Sequence, residues 1–320
     1  MTQKKRRFNR RFSRLRKSIK QTALNYIGAS IHPKGALRDR RTLLEFRSKL
    51  AAAARIRKPI EGQSYLHFVY GFKDRHEFPF YAYMAVRSAQ FHNRDWPVFI
   101  HVVYEPTGPW WEKLLADPTV MVIKIREFDY FGVARFYHYA HKSDIVRLLA
   151  LHDVGGVYLD IDTITARSFS PLLEHEFGMA VQASIENSAA GLCNAVMWGK
   201  RNSHFSNLWI KQYRYFKSKG RDSDWDFHSV RLPWILTLKH AGHISILDHR
   251  AFFNPLWPEA VRVLFSGDGI KFWEDLQDAY GFHLWNGLTE KTLKTVGPDY
   301  VRNSTSVYAR LARPVLEAFK

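Results

Sequence analysis

The chain is poor in cysteine, in long apolar runs and, over its first 60 residues, in acid. Its one cysteine, Cys193, excludes an intrachain disulfide and fits a reducing compartment. The least polar stretch near the N-terminus, residues 22–31, is about half the ~20 residues that a spanning helix needs. It is also too weak, behind too many charges, to read as a secretory core. Residues 1–60 hold 19 Lys+Arg against 2 Asp+Glu, whereas the other 260 residues hold 29 against 28. The basic character of the chain therefore sits in one arm. Repeats, Pro/Gly-rich linkers and low-complexity tracts are missing from the remainder, which is long enough to bury a full core as one domain. The expected organisation is a basic arm over 1–60, helical or partly disordered, and a catalytic domain over 61–320.

What is present in the arm is patterned. Phe8, Phe12, Leu15 and Ile19 fall at i, i+4, i+7 and i+11, among ten basic residues in the first twenty. A basic amphipathic helix of this kind suits an anionic membrane surface. The expected partner of residues 1–58 is that surface, in preference to a solvated tail or to nucleic acid, whose phosphates such arms also neutralise. The corresponding location is cytoplasmic, peripheral on the inner face of the membrane.

The remaining 260 residues alternate short apolar strands (65–70, 98–104, 120–125, 157–161) with helical stretches (81–91, 110–116, 143–153). That order predicts an α/β fold with a mostly parallel sheet flanked by helices. The densest segment is 155–162, Gly-Gly-Val-Tyr-Leu-Asp-Ile-Asp. A bare Asp-x-Asp is weak, since about one is expected by chance in a chain of this length. Here it ends an apolar strand, so Tyr158, Asp160 and Asp162 share one face. Two close carboxylates at a strand's carboxyl end suit a hard divalent ion shared with substrate phosphates. A second acidic run, Asp222-Ser-Asp-Trp-Asp226, lacks the glycine and glutamate of a calcium loop and reads as a solvated loop. Upstream, Ser143 reads as a helix N-cap. Asp144 and Arg147, three apart, form either a surface ion pair or a pair that contacts a sugar.

Ser143-Asp144-x-x-Arg147 followed by Gly155-Gly156-x-Tyr158-x-Asp160-x-Asp162 resembles the signature of the Asp-x-Asp glycosyltransferases of family 32, and a bacterial member in particular. The resemblance implies a GT-A-like fold, a nucleotide-sugar donor (a UDP-sugar before a GDP-sugar) and Mn²⁺ or Mg²⁺. It implies that Asp144 and Arg147 contact the donor sugar, that Asp160 contacts ribose, sugar or metal, and that Asp162 ligates the metal. Tyr158 belongs to the same donor-binding block. Tyr70, at the end of the first strand, matches an aromatic beside the base, or is an ordinary strand aromatic. Asn194 is carried over near the donor sugar, or is a turn residue. His283, in Gly-Phe-His-Leu-Trp-Asn, resembles a late metal ligand, or is a buried structural histidine. The implied activity is metal-dependent hexosyl transfer to a glycan or lipid-linked acceptor, with retention, in polysaccharide or lipopolysaccharide synthesis. The alternative of another class is a non-catalytic membrane- or RNA-binding protein on a degenerate transferase scaffold.

Overall fold

The strands 66–70, 98–102, 120–124 and 156–159 are short and rich in β-branched or aromatic residues, and all but the third are buried throughout. Such runs belong in a sheet covered on both faces. The computed structural model of the protein describes residues 35–186 and 188–320. In chain order its elements are α1 (Ala36–Ile56), β1 (Leu66–Tyr70), α2 (Phe80–His92), β2 (Val98–Val102), α3 (Pro109–Leu115), β3 (Val120–Lys124), the pair β4 (Tyr130–Phe131) and β5 (Ala134–Arg135), α4 (Tyr139–Val154) and β6 (Gly156–Leu159). Then come β7 (Thr163–Thr165), β8 (Phe177–Ala183), β9 (Ala189–Gly199), α5 (His204–Gln212), α6 (Leu232–His240), β10 (Ser245–Leu247), α7 (Trp257–Ala260), α8 (Trp273–Leu276), β11 (Gly281–His283), α9 (Asn286–Leu293), α10 (Pro298–Asn303) and α11 (Val307–Ala318).

Seven strands form one sheet in the order β10-β8-β9-β6-β1-β2-β3. All pairings are parallel except those of β9, which runs against both β6 and β8. The expected α/β architecture, a mostly parallel sheet between helices, is therefore present. One face packs against α2, α11 and the segment around Phe252 and Phe282; the other packs against α1, α4 and α5.

The glycine pair makes the turn from α4 into β6. Gly155 caps α4 at φ +80°. Gly156 sits at φ +118°, and a Cβ there would lie 2.4 Å from the Tyr65 carbonyl oxygen. Only glycine accepts that conformation in that space.

Two expectations change. The helix before the glycine pair begins at Tyr139, not at Ser143: His138 is the N-cap, its Nδ1 accepting from the Ala140 N–H at 3.2 Å. Ser143 lies a turn inside and bonds back to the Tyr139 carbonyl at 3.1 Å. The basic arm also divides. Residues 36–56 are a docked helix, with Leu43, Phe46, Leu50 and Ala53 buried against the sheet side that α4 covers. Arg47 reaches Asp153 at 2.6 Å, and Tyr65 donates to the Ala54 carbonyl at 2.8 Å. This part of the arm belongs structurally with the sheet. The amphipathic stripe at Phe8, Phe12, Leu15 and Ile19 lies outside the described residues. Among the described residues no helix is long and apolar enough to cross a membrane.

Candidate active site

The carboxyl end of β6 delivers Asp160 and Asp162, and the chain then enters β7. β7 pairs antiparallel with β11, with Thr163 opposite His283. That pairing brings a histidine 121 positions later in the chain onto the Asp-x-Asp. His283 Nε2 lies 3.4 Å from an Asp162 oxygen and 4.0 Å from an Asp160 oxygen. One ligand atom from each of Asp160, Asp162 and His283 falls within a 4.8 Å cluster.

Asp162 is held from two further directions. Its carbonyl accepts the Leu284 N–H at 2.7 Å, and its Oδ2 accepts the Asn286 N–H at 2.7 Å. The intervening Trp285 adopts φ +57°, a left-handed conformation that is rare for a bulky residue. Its ring lies 4.4 Å from the His283 ring, centroid to centroid, and its indole N–H donates to the Pro255 carbonyl at 3.0 Å. Asn286 opens α9, and its Oδ1 is buried with no hydrogen-bond partner among the described residues. Sequence reading gave neither Asn286 nor Trp285 a part in orienting Asp162. The available signal was a helix start directly after His283-Leu-Trp.

Behind the cluster stands a buried network. Arg147 Nη1 is 3.0 Å from Asp160 Oδ1 and donates to the Asn194 carbonyl (2.9 Å) and Oδ1 (3.2 Å). Asn194 Nδ2 donates to Asp144 Oδ1 at 2.7 Å, and Arg147 Nε is 3.6 Å from that same oxygen. β9 supplies Asn194 because it runs beside β6, and the Asp160 N–H bonds the Ala195 carbonyl at 2.7 Å. Asp144, Arg147, Asp160 and Asn194, separated by up to 50 positions, are thus one constellation.

Tyr158 departs from the donor-binding expectation. It is 1% exposed, lies under the Arg147 guanidinium (4.6 Å to the ring centroid), and its hydroxyl donates to Asp160 Oδ1 at 2.5 Å. Because both faces of β6 are packed, this side chain supports Asp160 from within the core. Tyr70 ends β1, parallel to β6, and its hydroxyl bonds His76 Nε2 at 2.6 Å. Burial raises the Tyr81 phenol above its ordinary value, and the charges of Tyr70 and Asp162 raise it further. The 222–226 run is a loop device: Asp222 accepts from the Ser218 hydroxyl and from the N–H groups of Lys219 and Asp224, and Trp225 packs on His138 and His141.

Charge follows this geometry. Burial raises the carboxyls of Asp144 and Asp160, against the pull of Arg147 on each. Burial also works against Asp162, but His283 and the Asn286 N–H outweigh it and hold that carboxyl below its usual range. Burial opposes charge on His283, and Asp162 with Asp160 overcomes it, so the imidazole is raised. Arg147 is held above its ordinary value despite burial by Asp160, Tyr158 and Asp144. Desolvation pushes the Cys193 thiol up to about 12, which leaves it an inert packing residue.

Two carboxylates and an imidazole converging here, with the Asn286 oxygen unpaired nearby, suit a divalent cation that accepts oxygen and nitrogen donors. A profile of the glycosyltransferase sugar-binding region containing the DXD motif matches residues 84–178, which include Asp144, Arg147, Asp160 and Asp162. Glucan organizing enzyme 1 of Cryptococcus neoformans var. grubii is 31% identical over 269 residues, 78% of this chain and 70% of the fungal protein. The chain belongs to this DXD glycosyltransferase family. An uncharacterized protein of Arabidopsis thaliana is 27% identical to the DXD glycosyltransferase over 197 residues, 57% of this chain and 29% of the plant protein. Among solved structures, the galactosyltransferase LgtC with donor and acceptor sugar analogues aligns at 14% identity and a TM-score of 0.43, over 79% of this chain and 95% of LgtC. The apo form of GlyE from Streptococcus pneumoniae TIGR4 aligns at 13% identity and a TM-score of 0.45, over 80% of this chain and 63% of GlyE.

Proposed function

We propose that this glycosyltransferase moves a hexose from a nucleoside diphosphate donor, UDP before GDP, to a glycan or lipid-linked acceptor, with retention of configuration. The observation that carries this reading is the Asp160–Asp162–His283 cluster at the carboxyl edge of the sheet, backed by Asp144, Arg147 and Asn194. Asp160, Asp162 and His283 would hold Mn²⁺ or Mg²⁺. An ion so held supplies positive charge next to the leaving diphosphate.

The chain's own groups do the rest. The Asn286 N–H fixes the rotamer of Asp162. Arg147 and the Tyr158 hydroxyl orient Asp160 and favour its ionised form against the burial that raises its carboxyl. Asn194 bridges Asp144 to Arg147, so Asp144 has a fixed acceptor oxygen to offer a sugar hydroxyl. Preorganised dipoles of this kind need not reorient during transfer. Tyr70 at the end of β1 is the proposed neighbour of the base.

The setting we propose is cell-surface polysaccharide or lipopolysaccharide synthesis by a bacterial family 32 enzyme, at the cytoplasmic face of a membrane contacted through the basic N-terminal region. The name of the fungal relative, which refers to glucan, supports a glycan product. The test is a nucleotide-sugar panel scored for hydrolysis of the donor with Mn²⁺, Mg²⁺ or EDTA. One donor should be cleaved in a metal-dependent manner. Absence of both cleavage and metal-dependent UDP or GDP binding across the panel would refute the reading.

A further inference from the structure

α1 has two faces with different chemistry. Leu43, Phe46, Leu50 and Ala53 are buried on the sheet side. On the opposite side Leu37, Arg41, Leu44, Ser48, Ala52 and Arg55 fall at i, i+4, i+7, i+11, i+15 and i+18, and all are exposed. Leu37 and Leu44 are 58% and 52% exposed, and Arg38 and Arg40 flank them. The two acids of the helix offset only part of this charge: Asp39, fully buried, pairs with Arg38 at 2.7 Å, and Glu45 pairs with Lys49 at 2.8 Å and with Arg126. Arg40, Arg41 and Arg55 are in no ion pair among the described residues, so the outer face keeps a net positive charge with leucines set into it, the pattern of a helix lying on an anionic interface.

The position of α1 gives that face a direction. The Asp39 carboxylate accepts the N–H groups of Asp129 (2.8 Å) and Tyr130 (2.9 Å), residues that follow β3. The other end of α1 meets Tyr65, which precedes β1. The cationic start of α1 therefore lies at the carboxyl edge of the sheet, the edge that carries Asp160 and Asp162. The 34 residues that lead into this end contain 11 Lys+Arg and no acid.

We infer that the outer face of α1, centred on Leu37, Arg40, Arg41 and Leu44, seats the protein on an anionic bilayer with the site edge of the sheet next to the lipid. The inference rests on the membrane reading above and sharpens it. The contact is made by the folded domain as well as by the preceding basic segment, and it orients the site toward an acceptor carried in the membrane plane.

The test uses the full chain and cosedimentation with phosphatidylcholine vesicles, with and without phosphatidylglycerol. Each basic residue at such a surface is worth about fivefold in binding. Arg40→Gln with Arg41→Gln should weaken binding to the phosphatidylglycerol vesicles about tenfold or more, and Leu44→Gln should remove binding that persists at high salt. Donor hydrolysis in solution should be unchanged in both. Hydrogen exchange on vesicle addition should slow at 36–44 and 127–137 and stay unchanged at 60–65 and 94–97. Vesicle binding that ignores these substitutions, or protection at the opposite edge, overturns the inference. So does a wild-type chain that ignores the vesicles, an RNA affinity that alone responds to the substitutions, or a dimer that Leu44→Gln dissociates. A wild type that binds vesicles in this way but hydrolyses no donor would instead count against the transferase reading.

Discussion

Asp162 and Arg147 carry opposite experimental signatures. Asp162→Asn keeps an oxygen for the Asn286 N–H and removes one negative charge from beside Asp160. Stability should hold, while metal-dependent donor hydrolysis should fall by at least about 100-fold, beyond the usual effect of losing a group that only orients a ligand. Metal-dependent nucleotide affinity, measured by calorimetry, checks the same loss; full activity would remove Asp162 from the metal site. Arg147 is different because it is buried between two carboxylates, with Nη1 on Asp160 and Asn194 and Nε, which makes no hydrogen bond among the described residues, 3.6 Å from Asp144. Arg147→Ala strands two buried carboxylates, Asp144 and Asp160, and breaking such a pairing costs about 3–5 kcal/mol. Its urea midpoint should drop sharply together with activity. A variant of unchanged stability and lowered turnover would show that the main contact of Arg147 is the donor. The placement of Asp160 and Asp162 together at the end of β6 was legible because strand alternation and spacing give it. The inward role of Tyr158 was not, because it depends on β6 being covered on both faces.

At the scale of elements, β1 and β2 place two histidines in the core beneath α1. His67 and His101 are stacked at 5.4 Å between ring centroids, with His101 Nε2 donating to His67 Nδ1 at 3.1 Å and His67 Nε2 donating to the Gly155 carbonyl at 2.9 Å. Burial lowers His67 to about 4, and burial together with His67 lowers His101 well below its ordinary value. Both are neutral in the folded state while their unfolded counterparts take up protons below about pH 6.5. The unfolded chain thus binds more protons, and stability falls as pH falls from about 6.5 toward 4. His67 alone should remove about 2 kcal/mol by about pH 5. Urea midpoints across that range should slope downward, and His67→Gln should flatten the slope; an unchanged slope would show that the pair does not set acid sensitivity. Helix and strand positions near this layer were legible from periodicity. The start of α4 was four residues early because His138 caps through a ring nitrogen, a signal weaker than the Ser143 that stands inside the helix.

For the whole molecule, the boundary between basic region and domain decides which truncation is tolerated. A chain starting at residue 35 keeps all of α1 and should fold and hydrolyse its donor. A chain starting at residue 59 loses Leu43, Phe46, Leu50 and Ala53 from the core, and a single large-to-small change at such a site already costs about 2–5 kcal/mol. It should be insoluble or molten by circular dichroism, and a well-folded product would make α1 dispensable. Charge counting alone put the boundary at residue 60, because it registers the basic residues of α1 and not the inner face on which Leu43, Phe46, Leu50 and Ala53 are buried. The alternation of strands and helices, the glycine turn at 155–156 and the two carboxylates that follow it could be read directly along the chain. Those are local properties, written in neighbouring residues. That His283 joins them through β11 and β7, that β9 carries Asn194 to Arg147, and that α1 is part of the core became visible only in the folded chain. Each of these depends on contacts between residues tens to more than a hundred positions apart, and such contacts leave no period in the sequence between them.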